Sequence, residues 1–165
     1  MNAEAAYLAA LESGGNQPDT AFDALNALTE AVVGVRLFTL MTFDAATRGA
    51  RRIYSNMPDA YPVFGTKPVN ETHWTGIVIG RHETFVANTI DEISQVFDDY
   101  ELIRSLGCES AINVPIVVGG SVIGTINCLH EAGFYTPEKV AASERLKLPG
   151  ATAFLLDRMN SAKGA

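Results

Sequence analysis

Residues 102–131, Leu-Ile-Arg-Ser-Leu-Gly-Cys-Glu-Ser-Ala-Ile-Asn-Val-Pro-Ile-Val-Val-Gly-Gly-Ser-Val-Ile-Gly-Thr-Ile-Asn-Cys-Leu-His-Glu, read as a short helix, a strand, a two-glycine turn and a second strand. Two β-branched runs separated by residues able to take positive φ are a strong hairpin signal, because the primed turns require that conformation and glycine has no Cβ to clash. The turn falls at Gly119-Gly120. If Val118 pairs with Ser121 and alternation is unbroken, Ile112, Val114, Ile116, Ile123, Thr125 and Asn127 share one face. Ala111, Asn113, Val117, Val122, Ile126, Cys128 and His130 then take the other, and Asn113 and Asn127 are expected on opposite sides. Both faces are largely apolar, so both need a cover.

Working outward, Phe22, Leu25, Leu28 and Val32 recur at three- and four-residue spacing, which predicts one amphipathic helix from about Asp19 to Gly34. Strands are expected at Arg36–Phe43 and near Arg51–Tyr54, joined by a polar turn. Residues 57–70 carry Pro58, Pro62, Gly65 and Pro68, which exclude a long helix or central strand, yet also Met57, Tyr61, Val63 and Phe64. Such an apolar loop is expected to fold over something. A short helix near Trp74–Gly80, a strand at Thr84–Ala87 and a helical stretch at Phe97–Ser105 follow. Thr136-Pro137-Glu138 is a helix start, and Pro149-Gly150 predicts a kink or a two-part final helix.

This order lacks the strand–helix alternation of a parallel fold and predicts an α+β domain, an antiparallel sheet with helices on both faces. The first and last helices would form one cover, and segments 57–80 and 88–107 the other. Residues 1–18 read as an N-terminal arm, helical or frayed, 19–160 as the domain and 161–165 as a C-terminal tail. The chain begins with Met and the pattern nearly fills its 165 residues, which suggests a free-standing domain with no output module visible.

A formal charge of −7 and a pI near 4.9 oppose a phosphate-binding surface, so nucleic acid is not an expected partner. No apolar run approaches the roughly 18 residues that cross a bilayer, and Glu4 stands where a secretory signal carries positive charge. A cytoplasmic protein without membrane attachment is expected. Cys108 and Cys128 lack CxxC or Cys/His spacing, so reduced thiols and no metal site are expected.

The leucine-glycine step, the Ser-x-x-x-Val-Pro strand, the glycine turn and Val-Ile-Gly-Thr-Ile resemble the second half of a GAF domain. Thr75-Gly-Ile-Val-Ile-Gly-Arg-His-Glu-Thr-Phe-Val-Ala-Asn88 looks like that family's segment in which a glycine begins a helix and a strand ends near Asp or Asn. The likeness spans about residues 20–160. It implies a GAF-like (PAS/profilin-related) antiparallel sheet of five or six strands and a non-catalytic role as small-molecule sensor or signalling and dimerisation domain. It places the pocket between the sheet and segments 57–80 and 88–107, without naming a ligand or cofactor. Within that region Tyr61, Phe64, His73, Trp74, Thr75 and Asn88 offer apolar walls and a few polar contacts, and Asn113 and Asn127 could add contacts from below. Trp74, Phe64 and Phe97 also read as plain core, His73 as a surface histidine, and the asparagines as exposed sheet edges.

Three activities of the family are tested by residue. His130-Glu131 stands where cyclic-nucleotide binders carry Asn-Lys, and neither cysteine has the following histidine of bilin-binding members. In the free methionine-R-sulfoxide reductases, the matching cysteine positions are Arg104 and Thr75 here. A thiol-dependent reductase of that type and a ligand-free scaffold remain the alternative readings. GAF proteins also pair through helices, which implies a homodimer whose interface uses Phe22, Leu28, Leu146, Phe154 and Leu155.

Overall fold

A computed structural model describes residues 1–164. The helix α1 (Ala3–Glu12) leads into α2 (Asp19–Val32), and the hairpin β1 (Leu37–Asp44) and β2 (Gly49–Ser55) follows. A two-residue edge strand β3 (Lys67–Pro68) precedes the short helix α3 (His73–Thr75), which runs on as a π-helical turn over Gly76–Gly80. Then come β4 (Phe85–Ala87), α4 (Ile90–Ser94), α5 (Tyr100–Ser105) and the long hairpin β5 (Ser110–Val118) and β6 (Ser121–His130). The chain closes with α6 (Pro137–Ala142), a 3-10 turn over Ser143–Leu146 and α7 (Lys147–Lys163).

The six strands form one antiparallel sheet in the order β3-β2-β1-β6-β5-β4. Gly119 and Gly120 take φ of 60° and 80°, the paired positive values that a two-residue hairpin turn demands. Each sheet face has its own apolar layer. One packs Phe22, Leu25, Leu28, Leu146 and Phe154 of the helices against Phe38, Leu40, Ile112 and Ile126. The other packs Tyr61, Trp74, Val78, Ile93 and Ile103 against Leu37, Ala111 and Leu129.

Two single-residue bulges decide which polar side chains reach that second layer. Val117 pairs with Val122, but Ile116 pairs with Gly124, so Ile123 is an extra residue on β6 and every later position changes face. This corrects the unbroken alternation expected above: Asn113 and Asn127 pair directly and lie on one side of the sheet. Likewise Leu40 pairs with Tyr54 while Met41 pairs with Arg52, leaving Ile53 as the extra residue. Arg52 thereby turns away from α2 and α7.

Other differences are local. The break in the last helical segment falls at the 3-10 turn before Pro149, not at Pro149-Gly150. Proline in the first turn of α7 removes an amide that has no intrahelical acceptor, so the helix tolerates it there. Gly150 instead lets α7 approach the sheet, where an added Cβ would lie 2.7 Å from Ile116. In the expected arm, α1 is packed on the domain: Tyr7 is buried and its hydroxyl donates to the Pro149 carbonyl at 2.7 Å. Within the expected tail, residues 161–163 continue α7, and Ala165 lies outside the described residues. Among the described residues no helix is long and apolar enough to cross a membrane.

Candidate functional site

Between the sheet and the cover formed by residues 57–80 and 90–105 lies a cavity of about 190 Å³. Its floor is β1, β5 and β6, and its walls are Tyr61, Phe64, Trp74, Phe97 and Ile103. The loop over it is fixed from below: Arg52 Nη1 donates to the Pro62 carbonyl at 2.8 Å, and Tyr61 N–H donates to the Met57 carbonyl at 2.8 Å. Trp74 is set by a capped turn, in which Thr72 N–H donates to Thr75 Oγ1 at 2.9 Å.

A chain of hydrogen bonds crosses the floor. Trp74 Nε1 donates to Asn113 Oδ1 at 2.8 Å, Asn113 Nδ2 to Asn127 Oδ1 at 2.7 Å, and Asn127 Nδ2 to Thr39 Oγ1 at 3.1 Å. Asparagine is poorly suited to strand interiors and costly to bury unpaired, and this chain satisfies that requirement. On the wall, the Arg52 guanidinium lies 3.8 Å from the centre of the Tyr61 ring and 4.6 Å from that of Phe64. The Tyr61 hydroxyl donates to Asp99 Oδ2 at 2.6 Å. Burial pushes the Tyr61 hydroxyl well above its ordinary pKa, with the Asp99 charge adding to the rise and Arg52 opposing it. Burial also draws the Arg52 guanidinium below its usual value, against the pull of Tyr61 and Asp99.

Of the residues expected at a pocket, Tyr61, Phe64, Trp74, Asn113 and Asn127 meet at this cavity. His73, Thr75 and Asn88 do not. His73 is exposed beside Phe85, with ring centres 5.9 Å apart. Thr75 is buried, but its hydroxyl donates to the Thr72 carbonyl at 2.6 Å within its own turn. Asn88 clamps the loop after β6, donating to the Tyr135 carbonyl at 3.0 Å and accepting from Tyr135 N–H at 3.1 Å. These three lie outside this cavity. Arg52, Asp99 and Thr39 line it and were not anticipated. Arg52 follows Arg51 in β2, so nothing in the sequence singles it out, and its face depends on the bulge at Ile53.

The two thiols stand elsewhere. Cys108 and Cys128 are free and buried, neither lines the cavity, and burial pushes both thiols up, away from the reactive thiolate. Among the described residues no three His, Cys, Asp or Glu side chains gather as metal ligands. A broader surface groove of about 860 Å³ runs beside the β1–β2 turn and Asp157. Arg51 meets Asp157 there at 3.7 Å, and burial raises the Asp157 carboxyl.

The sequence matches the GAF domain family over residues 17–146, most of the chain and all six strands. The chain belongs to the GAF domain family. A comparison with curated proteins finds no match. Among solved structures, the GAF domain of a two-component sensor histidine kinase from Bacillus halodurans is 11% identical, with 88% of this chain and 98% of that one covered and a TM-score of 0.69. The GAF domain of a phosphoenolpyruvate-protein phosphotransferase from Coxiella burnetii is 14% identical, with 99% of both chains covered and a TM-score of 0.67. A domain of a putative two-component sensor histidine kinase from Sinorhizobium meliloti 1021 is 13% identical, with 92% of this chain and 100% of that one covered and a TM-score of 0.64. At these identities the likeness is one of fold.

Proposed function

We propose that this chain is a non-catalytic GAF-type sensor domain that holds a small molecule in the 190 Å³ cavity over Asn113 and Asn127. The observation that carries the reading is the floor itself. Two carboxamides, only 3% and 9% exposed, border open space under an apolar lid, whereas a core meant only to be filled has no use for polar groups facing a void. This favours a ligand over the ligand-free scaffold. The thiol-reductase alternative has no support from the cysteines, which are buried away from the cavity.

Assembly is the second part of the proposal. Phe22, Leu28, Leu146 and Phe154, named above for a homodimer interface, are at most 2% exposed and belong to the domain's own core. Their helices face the sheet, which uses up that apolar stripe. Leu155 remains, 40% exposed, on one side of α7 with Leu148 and Met159, 75% and 57% exposed. Leu148 and Leu155 are a heptad apart and Met159 follows one turn later, a pattern suited to pairing with the same helix of a second copy. Ligand occupancy would then be passed to that copy or to a signalling partner.

Native mass spectrometry of freshly purified protein tests the binding reading. The expected spectrum shows a small non-covalent mass that is released on denaturation. A chain that carries no added mass, and whose Trp74 emission no metabolite extract alters, would overturn it.

A further inference from the structure

The direction of the hydrogen-bond chain fixes what the cavity can accept. An indole N–H can only donate, so Trp74 obliges Asn113 to present its oxygen there. Asn113 must then donate to Asn127 Oδ1, and Asn127 must donate to Thr39. Neither carboxamide is free to flip. Each nitrogen keeps a second N–H with no acceptor among the described residues, so the floor has donors to give an acceptor oxygen, beside the second lone pair of each carboxamide oxygen.

The wall adds two opposite charges. Arg52 and Asp99 both line the cavity, and Tyr61 stands between them, its ring under the guanidinium and its hydroxyl on Asp99 Oδ2. Asp99 Oδ1 has no partner among the described residues. A lone anion would gain from Arg52 and lose to Asp99, and a lone cation the reverse. A molecule carrying both charges satisfies both. The remaining wall, Phe64, Phe97, Ile103 and Leu129, is apolar, and 190 Å³ is the space of about six waters at ~30 Å³ each.

We propose that the ligand is a small zwitterion, an α-amino acid with an apolar side chain, its carboxylate on the Asn113 and Asn127 donors and Arg52, its ammonium toward Asp99. This inference rests on the small-molecule reading above and names the ligand class. A built-in reporter is available, because Trp74 is the single tryptophan of the chain and lines the site.

The test is titration of the purified chain, after removal of any retained ligand, with L-valine, L-leucine, L-isoleucine and L-methionine. The readouts are Trp74 emission and calorimetry. Controls are 4-methylpentanoate, which lacks the ammonium, and 3-methylbutylamine, which lacks the carboxylate. At least one amino acid is expected to bind saturably, both controls at least tenfold more weakly, and Arg52→Gln and Asp99→Asn each to weaken the amino acid tenfold or more with melting temperature retained. Equal binding of the acid control, or no response to any of the four amino acids, would overturn the proposal. If native spectra show a retained small molecule of another class, only the ligand class is lost. If nothing is retained and no metabolite extract alters Trp74 emission either, the small-molecule reading fails with it.

Discussion

Asn113 and Asn127 stand directly opposite each other on β5 and β6, their carboxamides joined at 2.7 Å and aimed at the same cavity. The pair exists because Ile123 is bulged. Without the extra residue, Asn127 would face the helices and an unpaired amide would lie among Phe38, Leu40 and Phe154. One residue of register thus separates a polar cavity floor from a destabilised core.

The chain of hydrogen bonds makes Asn113 the member with most to lose. Asn113→Ala strands Trp74 Nε1 and Asn127 Oδ1 in a buried layer, each cost being on the order of 1–3 kcal/mol. Urea denaturation followed by circular dichroism is expected to show a loss in that range or above. An unchanged midpoint would mean that water already serves these groups.

Gly124 holds the β6 backbone against both β1 and α7. A Cβ there would lie 2.6 Å from the Met41 carbonyl oxygen and 2.6 Å from the Phe154 ring. Gly124→Ala is expected to cost about 1–3 kcal/mol or more, because backbone cannot give way as a flexible side chain can. Gly65→Ala, in a loop position with nothing within 4 Å, is the control and should stay within about 0.5 kcal/mol of wild type. Comparable melting temperatures for the two variants would contradict the packing described.

His130 contributes to the pH dependence of stability. Its ring stacks on Phe134 at 3.6 Å between centres, and burial, with Arg36 nearby, lowers its pKa below the ordinary value, Glu131 opposing. The unfolded chain therefore takes up the proton first. Stability from this group is present above the unfolded value near ~6.5 and is lost as pH falls through the lower folded value. Melting temperature should drop more between pH 7 and pH 5.5 for wild type than for His130→Asn, and equal drops would exclude the role.

The α7 stripe predicts assembly. Leu148→Glu with Leu155→Glu should convert a dimer to a monomer in light scattering while leaving the core untouched, since both side chains are exposed. A wild type that is monomeric at high micromolar concentration would remove the proposal.

The fold was legible where periodicity and turn chemistry agree. The β-branched run of β5, the paired glycines at 119 and 120 and the stripe of α2 each admit one reading, and the apolar loop with Tyr61 and Phe64 announces a cover. The site was legible only in part. Bulges at Ile53 and Ile123 carry no special residue, since Ile suits a strand on either face, and they alone decide where Arg52 and Asn127 point. Asp99 lies in a short turn whose geometry depends on packing, so its bond to Tyr61 has no local signature. Asn88 and Thr75 have the composition of a polar site, but the nearest unpaired backbone groups claim them.

Filling the cavity tests the central claim most directly. Ala111 is fully buried and lines the floor, so a longer apolar side chain there grows into the space proposed for the ligand. Native mass spectra of wild type and Ala111→Met, recorded side by side with their melting temperatures, are the measurement. The account predicts a bound small mass in wild type and none in a folded Ala111→Met. The same bound mass at the same occupancy in the folded variant would contradict it.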